Sequence, residues 1–389
     1  MIIEPANKLN YIQEYYFSRK LREVAQMIAS GKPVINLGIG NPDQAPAEEV
    51  ITALQTSSAN VKNHGYQSYI GIPALRKAMA DWYEHTYEVN LNPDNEILPL
   101  LGSKEGITHI YLAFLNPGDK VLIPNPGYPT YESAARLAGA IPITYDLDEN
   151  NGWAPDWTSV SDEDLKEAKI IMVNYPHMPT GQLSTLSFFE SLVAFAKKNN
   201  VLIVHDNPYS FILNDSPLSI LSVAGAKEVA VELNSLSKSQ NMAGWRVGML
   251  CGAKERIDEV LRFKSNMDSG MFLPVQLAAA KALTLGQDWY DGINTMYRNR
   301  RAKVFTLLQL LGCSFSLQQA GMFVWAKIPA SYKDGYALSD EALYNAGIFI
   351  TPGGIFGSAG NNYIRVSLCC TEQKIQESIE RVKASLKGK

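Results

Sequence analysis

Short apolar runs alternate with amphipathic helical patterns through the middle of this chain, and that alternation narrows the fold more than any other feature. Ile170-Ile-Met-Val173, Val201-Leu-Ile-Val204, Val229-Ala-Val-Glu-Leu233 and Val247-Gly-Met-Leu250 read as strands, with a shorter one at Val121-Leu-Ile123. Around them, Lys104 to Leu115, Tyr131 to Leu137 and Phe188 to Lys198 carry helical spacing. Short apolar strands separated by helices predict an α/β fold around a mainly parallel, buried sheet. Ligands of such sheets sit beyond the carboxyl ends of the strands. Asn174, Asp206 and Asn234 each fall just past a strand's end, so polar chemistry is expected there.

The pattern changes near residue 285. Trp289 to Leu311 reads as one long helix, and its basic run Arg298-Asn-Arg-Arg-Ala-Lys303 reads as a solvated face. Met322 to Ala326 and Tyr363 to Ser367 look like strands of a smaller α+β unit, followed by a last helix from Thr371 to Leu386. A helix near Phe17 to Ala29 has no sheet of its own and is expected to pack on that unit or on a partner subunit. With 389 residues, 46% of them hydrophobic, the chain has ample core for two units. A net charge of −4 gives no basic field for nucleic acid. Cys251, Cys313, Cys369 and Cys370 show no metal spacing, nor do the five histidines, so no metal is expected. The start, Met1-Ile-Ile-Glu-Pro, lacks the basic and apolar regions of a signal peptide, and no run has the length of a transmembrane helix. A cytoplasmic location, where free thiols persist, is the expectation.

The chemistry concentrates in Asn234-Ser-Leu-Ser-Lys-Ser-Gln-Asn-Met-Ala-Gly-Trp-Arg246. Here Lys238 stands between Ser237 and Ser239, with Ser235 upstream and Arg246 downstream. Hydroxyls and a guanidinium fork make a phosphate site. A lysine inside one is placed to form a Schiff base with a phosphorylated aldehyde, and pyridoxal 5'-phosphate is such an aldehyde. On its own, a lysine among serines is more often a solvated loop residue.

The other groups that this cofactor needs have candidates too. Asp206, at a strand's end, is placed to pair with a pyridinium, and Tyr209 to reach the ring hydroxyl; an Asp-Asn-Pro turn is the ordinary alternative. Gly102-Ser103-Lys104-Glu-Gly106 opens a helix whose N–H groups favour phosphate, though a serine cap is as common. Tyr128, in Asn125-Pro-Gly-Tyr-Pro129, is rigidly presented for stacking on a flat ring, or for burial at a turn. Arg365 lies in the apolar strand Tyr363-Ile-Arg-Val-Ser367, where a charge needs a partner, either a ligand carboxylate or a structural ion pair. Tyr66 lies in a loop before a helix and says little alone.

Taken together, the chain resembles the pyridoxal-phosphate-dependent class I/II aminotransferases of fold type I, from about Leu21 to the last helix. Leu37-Gly-Ile-Gly-Asn-Pro-Asp43, Gly102-Ser-Lys-Glu-Gly106, Asn125-Pro-Gly-Tyr-Pro129, Pro179-Thr-Gly181, Asp206-Asn-Pro-Tyr209, Ser235-Leu-Ser-Lys238 and Gly244-Trp-Arg-Val-Gly248 carry the resemblance. It implies a large cofactor-binding domain over 48–284, with a mainly parallel seven-stranded sheet. A smaller α+β domain would be built from 1–47 and 285–389. It further implies that Lys238 holds the aldehyde and shuttles a proton, that Asp206 pairs with the ring nitrogen, and that Tyr209 donates to the ring oxygen. Ser103, Lys104, Ser235, Ser237 and Arg246 would form the phosphate cup, Tyr128 would stack on the ring, and Arg365 would clamp the substrate α-carboxylate. Gly40 would lie over the substrate. Tyr66 would reach the phosphate of a neighbouring subunit, which implies a homodimer with shared sites. One position departs from the family. Asparagine usually precedes Pro-Thr-Gly and bonds to the ring oxygen; here Met178 stands there, and a thioether is a poor acceptor and no donor. The lysine-linked cofactor is therefore expected to titrate at a shifted pH, with Tyr209 holding the ring oxygen alone or helped by water or His177.

The reaction expected is transfer of an amino group from an L-amino acid to a 2-oxo acid by a ping-pong route. An aspartate-type or aromatic donor is favoured, within the group that includes LL-diaminopimelate aminotransferases. Tyr15, Tyr16 and Phe17, if they line the entrance, suit an aromatic or long aliphatic substrate. A C–S β-lyase on a sulfur amino acid would use the same cofactor groups, and a non-catalytic cofactor-binding regulator is the rival of another class.

Overall fold

The computed structural model describes residues 3–11 and 16–387, so Tyr15 lies outside the described residues, as does the side chain of Phe17. A sheet of eight strands forms the centre, in the order Ile97–Leu100, Gly248–Gly252, Ala230–Ser235, Leu202–Asp206, Ala168–Asn174, Lys120–Asn125, Ile141–Leu147 and Pro155–Asp156. From Ala230–Ser235 to Ile141–Leu147 every neighbour is parallel. Ile97–Leu100, Gly248–Gly252 and Pro155–Asp156 pair antiparallel. The eighth strand corrects the expected seven: Pro155–Asp156 spans two residues at the edge, where proline's missing N–H is tolerated, and so short a piece carries no readable period.

The strands are buried on both faces because alternate residues feed two separate cores. Ile171, Val173 and Ile203 pack on one side with Phe189, Leu192 and Val193 of the helix Leu186–Asn199. Ile170, Met172 and Val204 pack on the other, beneath Ile107 and Ile110, Tyr131 and Ala134, and Ile257 and Val260, from three more helices. Register then lines up the polar strand ends. Asn174 stands opposite Asp206, and Asp206 opposite Leu233, next to Asn234 and Ser235. The chemistry of three strands thus arrives at one edge of the sheet.

The N-terminal segment is stitched to the C-terminal part. Ile35–Asn36 pairs in parallel with Ile348–Phe349, and Leu37 exchanges backbone bonds with Phe349 (2.9 Å) and Ser367 (2.7 Å). The helix Tyr16–Ala29 follows suit, Val24 packing on Leu343 and Phe349. Phe323–Lys327, Tyr363–Ser367 and Thr351–Pro352 form a small antiparallel sheet. The 24-residue helix Gln287–Leu310, about 36 Å long, packs along Glu372–Lys387. Its basic run is not simply a solvated face. Arg300 is buried and forks onto Asp43 at 2.7 and 2.9 Å, and Arg301 donates to the Gln319 carbonyl. Among the described residues no helix is long and apolar enough to cross a membrane.

Candidate active site

A cavity of about 550 Å³ opens at the carboxyl edge of the parallel strands, between the large sheet and the small one. Its lining includes Gly40, Ser103, Lys104, Tyr128, Asp206, Tyr209, Ser235, Ser237, Lys238, Arg246 and Arg365. Eleven residues given a role from the sequence therefore meet in one place.

Asp206 ends its strand with its carboxylate inside. Oδ2 accepts a hydrogen bond from the Tyr131 hydroxyl at 2.7 Å, while Oδ1 is buried with no partner among the described residues. Burial raises its pKa to about 6; the Tyr131 bond and the charges of His205 and Lys238 pull the other way. A buried acceptor with an unmet oxygen is suited to a cationic N–H donor. Asn174 steadies the position from the next strand, donating to the Asp206 carbonyl at 2.6 Å. Behind the site, His205 Nδ1 lies 2.8 Å from Glu232 and its Nε2 2.9 Å from the Tyr175 carbonyl. Glu232 also accepts from Tyr83, Ser219 and the Ile220 N–H. Asp206 therefore rests on a fully bonded polar layer.

Lys238 follows the strand Ala230–Ser235, and its Nζ donates to the Gly40 carbonyl at 2.9 Å, 5.8 Å from the Tyr209 ring centre. Burial pushes its ammonium below the ordinary value; Cys369 opposes this and Arg365 adds to it. A lysine so depressed has more of its neutral amine near neutral pH, the form that attacks an aldehyde or takes a proton. Burial also raises the Tyr209 phenol, which keeps its proton and stays a donor.

At the other end the helix Ser103–Phe114 points its N-terminus into the cavity. Gly102 makes the turn at φ +92°, and a Cβ there would sit 2.2 Å from Arg246 Nη2. Glycine is required on both counts. Arg246, itself at φ +58°, is held by the Ala243 and Leu101 carbonyls at 3.0 and 3.3 Å. The Ser235 and Ser237 hydroxyls are bonded together at 2.7 Å. Helix N–H groups, two hydroxyls and a guanidinium fit a phosphate; the Asp206 carboxylate with its unmet oxygen fits a ring N–H; Lys238 fits an aldehyde.

Arg365 is buried between two rings, 3.8 Å from the centre of Phe323 and 4.7 Å from that of Phe356. Its Nη1 faces the Met178 sulfur at 3.2 Å and its Nη2 donates to the Gly38 carbonyl at 2.8 Å. Gly40 is glycine for want of room, since a Cβ there would lie 2.1 Å from the Phe323 ring. His177 does not line the cavity: burial pushes its pKa down to about 3 and its Nδ1 faces Thr180 at 2.8 Å.

Two residues stand apart. Tyr16 packs edge-on against Tyr336 at 5.8 Å, away from the cavity, and Leu21 of the same helix lines it instead. Tyr66 is 92% exposed beside a second hollow formed by His64–Gln67 and Ser269–Phe272. Sequence reasoning missed Tyr131 as the partner of Asp206, although it lies one helical turn from Tyr128. It also missed Phe323 and Phe356, whose service to Arg365 no local motif reveals.

The sequence profile of the family described as "Aminotransferase class I and II" matches residues 32–382. The chain is similar to the LL-diaminopimelate aminotransferase of Aquifex aeolicus, 40% identical and covering 98% of this chain and 99% of that protein. It is 39% identical to the protein of that name from Dehalococcoides mccartyi strain BAV1, covering 97% of both. Among solved structures, substrate-bound BacF from Bacillus subtilis superposes with a TM-score of 0.93 at 34% identity, covering 99% of this chain and 98% of that one.

Proposed function

Since the chain belongs to the class I and II aminotransferases, we propose that it moves the amino group of an L-amino acid to a 2-oxo acid in two half-reactions at this cavity. The family's cofactor is pyridoxal 5'-phosphate, which supplies, when bound, an electron sink next to the substrate α-carbon. The observation that carries the reading is the convergence of Lys238, Asp206, Arg246 and Arg365 on one cavity.

Each role follows from the surroundings. Arg365 holds the α-carboxylate in a fork fixed by its two flanking rings, which orients the α-hydrogen. Lys238 Nζ, its ammonium depressed by burial, is the group that would take that proton and give it up again within the cavity. Asp206 would pair with the ring nitrogen, its carboxylate oriented by the Tyr131 hydroxyl. Tyr209 would donate at the ring oxygen. Ser103, Lys104, Ser235, Ser237 and Arg246 would hold the phosphate, and Tyr128 would cover the ring.

The active unit in this reading is a cytoplasmic homodimer. Tyr66 and Phe272 are exposed apolar side chains lining the second hollow, and Val61, Tyr69 and Met267, close to them in sequence, are exposed as well, as a subunit contact requires, with Tyr66 reaching across. The division into a large domain, 48–284, and a small one from 1–47 and 285–389 belongs to the same proposal, supported by the pairing of Ile35–Asn36 with Ile348–Phe349. For the donor, the names of the curated relatives favour LL-diaminopimelate, beside the aspartate-type and aromatic donors the sequence suggests.

The test is to add single amino acids to the cofactor-loaded protein without an acceptor. Bleaching of the yellow band, with one equivalent of 2-oxo acid, is the expected result. A lasting yellow band with pyruvate and ammonia accumulating would favour the lyase. Lys238→Ala is expected to lose both the band and turnover; turnover surviving would overturn the mechanism.

A further inference from the structure

Setting aside the groups given to the cofactor and to Arg365, the described cavity wall that remains is apolar except for Asn174, whose amide is already engaged by the Asp206 carbonyl and the Met178 N–H. Leu21, Ile39, Met178, Phe323 and Phe356 line it, joined by a glycine, a proline and an alanine. Asp206 is the sole carboxylate among the described lining residues, and it faces the cofactor end. Of the cations there, Lys238, Arg246 and Arg365 are committed, and Lys104 sits with the phosphate cup at the helix start.

The placement of this wall matters as much as its composition. Phe323 and Phe356 flank the guanidinium that takes the α-carboxylate, so a side chain on the adjacent carbon meets rings first. Met178 lies on the same guanidinium through sulfur, 3.2 Å from Nη1. A thioether is a weak acceptor and yields that N–H readily to a carboxylate. It is also soft and flexible enough to close around branched, linear or aromatic groups. Leu21 and Ile39 continue the surface from the N-terminal segment. A second carboxylate or ammonium placed here would shed water and gain no opposite charge from the described residues of this wall.

We infer that this site selects amino acids with uncharged apolar side chains, of the aliphatic, thioether or phenyl class, and that Met178 is a residue that sets the preference. This rests on the aminotransferase reading and narrows it away from diacids and from LL-diaminopimelate, whose far end is a second charged head.

The test compares half-reaction rate over dissociation constant for L-leucine, L-methionine and L-phenylalanine against L-aspartate, L-glutamate and LL-diaminopimelate, on the cofactor-loaded enzyme. Beside it, the unreactive carboxylates hexanoate and glutarate are titrated calorimetrically. The apolar donors are expected to lead by about 100-fold, and hexanoate to bind at least about tenfold tighter than glutarate. Met178→Asn should shrink the donor ratio by about tenfold and Met178→Leu should keep it, as the loss or retention of an apolar contact predicts. A faster reaction with a charged donor would overturn the inference while leaving an aminotransferase. A ratio unmoved by Met178→Asn would remove that residue from the role. Failure of every donor would strike at the aminotransferase reading, and the hexanoate comparison, which needs no turnover, would still decide the apolar site.

Discussion

Asp206 destabilises the protein that carries it until a cation arrives, and Asp206→Asn makes that cost measurable in the cofactor-free form. Burial raises the carboxyl from its ordinary 3.8 to about 6. Between those values the folded state holds a proton that the unfolded chain has released, so stability falls as pH rises through that window. The ionised form then costs about 1.6 kcal/mol at pH 5 and about 3 kcal/mol at pH 8. Asparagine keeps the shape and the acceptor for Tyr131 and carries no charge at either pH. Its amide N–H₂ takes the place of the unpartnered Oδ1 and gives back about 1 kcal/mol. Cofactor-free Asp206→Asn should therefore be the more stable protein by about 2 kcal/mol at pH 8, and by little at pH 5. Thermal unfolding of both proteins, stripped and reloaded, reads this as a Tm raised by roughly 2–4 °C at pH 8 in the stripped form alone. Adding cofactor should stabilise the unmodified protein far more than the variant. A stripped variant no more stable than the parent at pH 8, or a gap equal at both pH values, would refute the reasoning.

Tyr131→Phe removes a bond to a charged group, which should weaken cofactor binding by about tenfold or more in equilibrium dialysis, with the fold kept. Met178→Asn adds a donor near the ring oxygen and should move the pH midpoint of the Lys238-linked chromophore; an unchanged spectral titration would show that position 178 does not touch it. Arg300→Met leaves the Asp43 carboxylate without its fork and should cost about 3 kcal/mol in urea unfolding, while Arg298→Met, on an exposed pair, should cost under about 1 kcal/mol.

The parts of this protein legible in its sequence are those whose chemistry is local. Lys238 with its serines, the glycine turn before Ser103 and the acid at the end of Leu202–Asp206 each occupy a few consecutive residues, and the sheet brought them together as the strand rule requires. What stayed hidden depends on pairing at a distance. His205 and Glu232 lie on neighbouring strands and meet only through register. Arg300 points inward, but a run of like charges reads the same whichever face it turns to the core. The strand Ile141–Leu147 gave no signal because its half-exposed residues break the apolar run. Tyr16 and Leu21 both lie on one amphipathic helix, and only the packing of Val24 on Leu343 and Phe349 decides which of them faces the cavity.

The carbonyls of Gly38 and Gly40 have a consequence for turnover. Each accepts from one of the two working cations, Arg365 at 2.8 Å and Lys238 at 2.9 Å. The N-terminal strap is thereby a built-in competitor, tethered at a constant effective concentration that no dilution lowers. A ligand loading this site carries out an exchange, and its measured affinity is a difference between two sets of bonds. The same exchange runs backward when a product leaves, and the strap's carbonyls again accept from both cations.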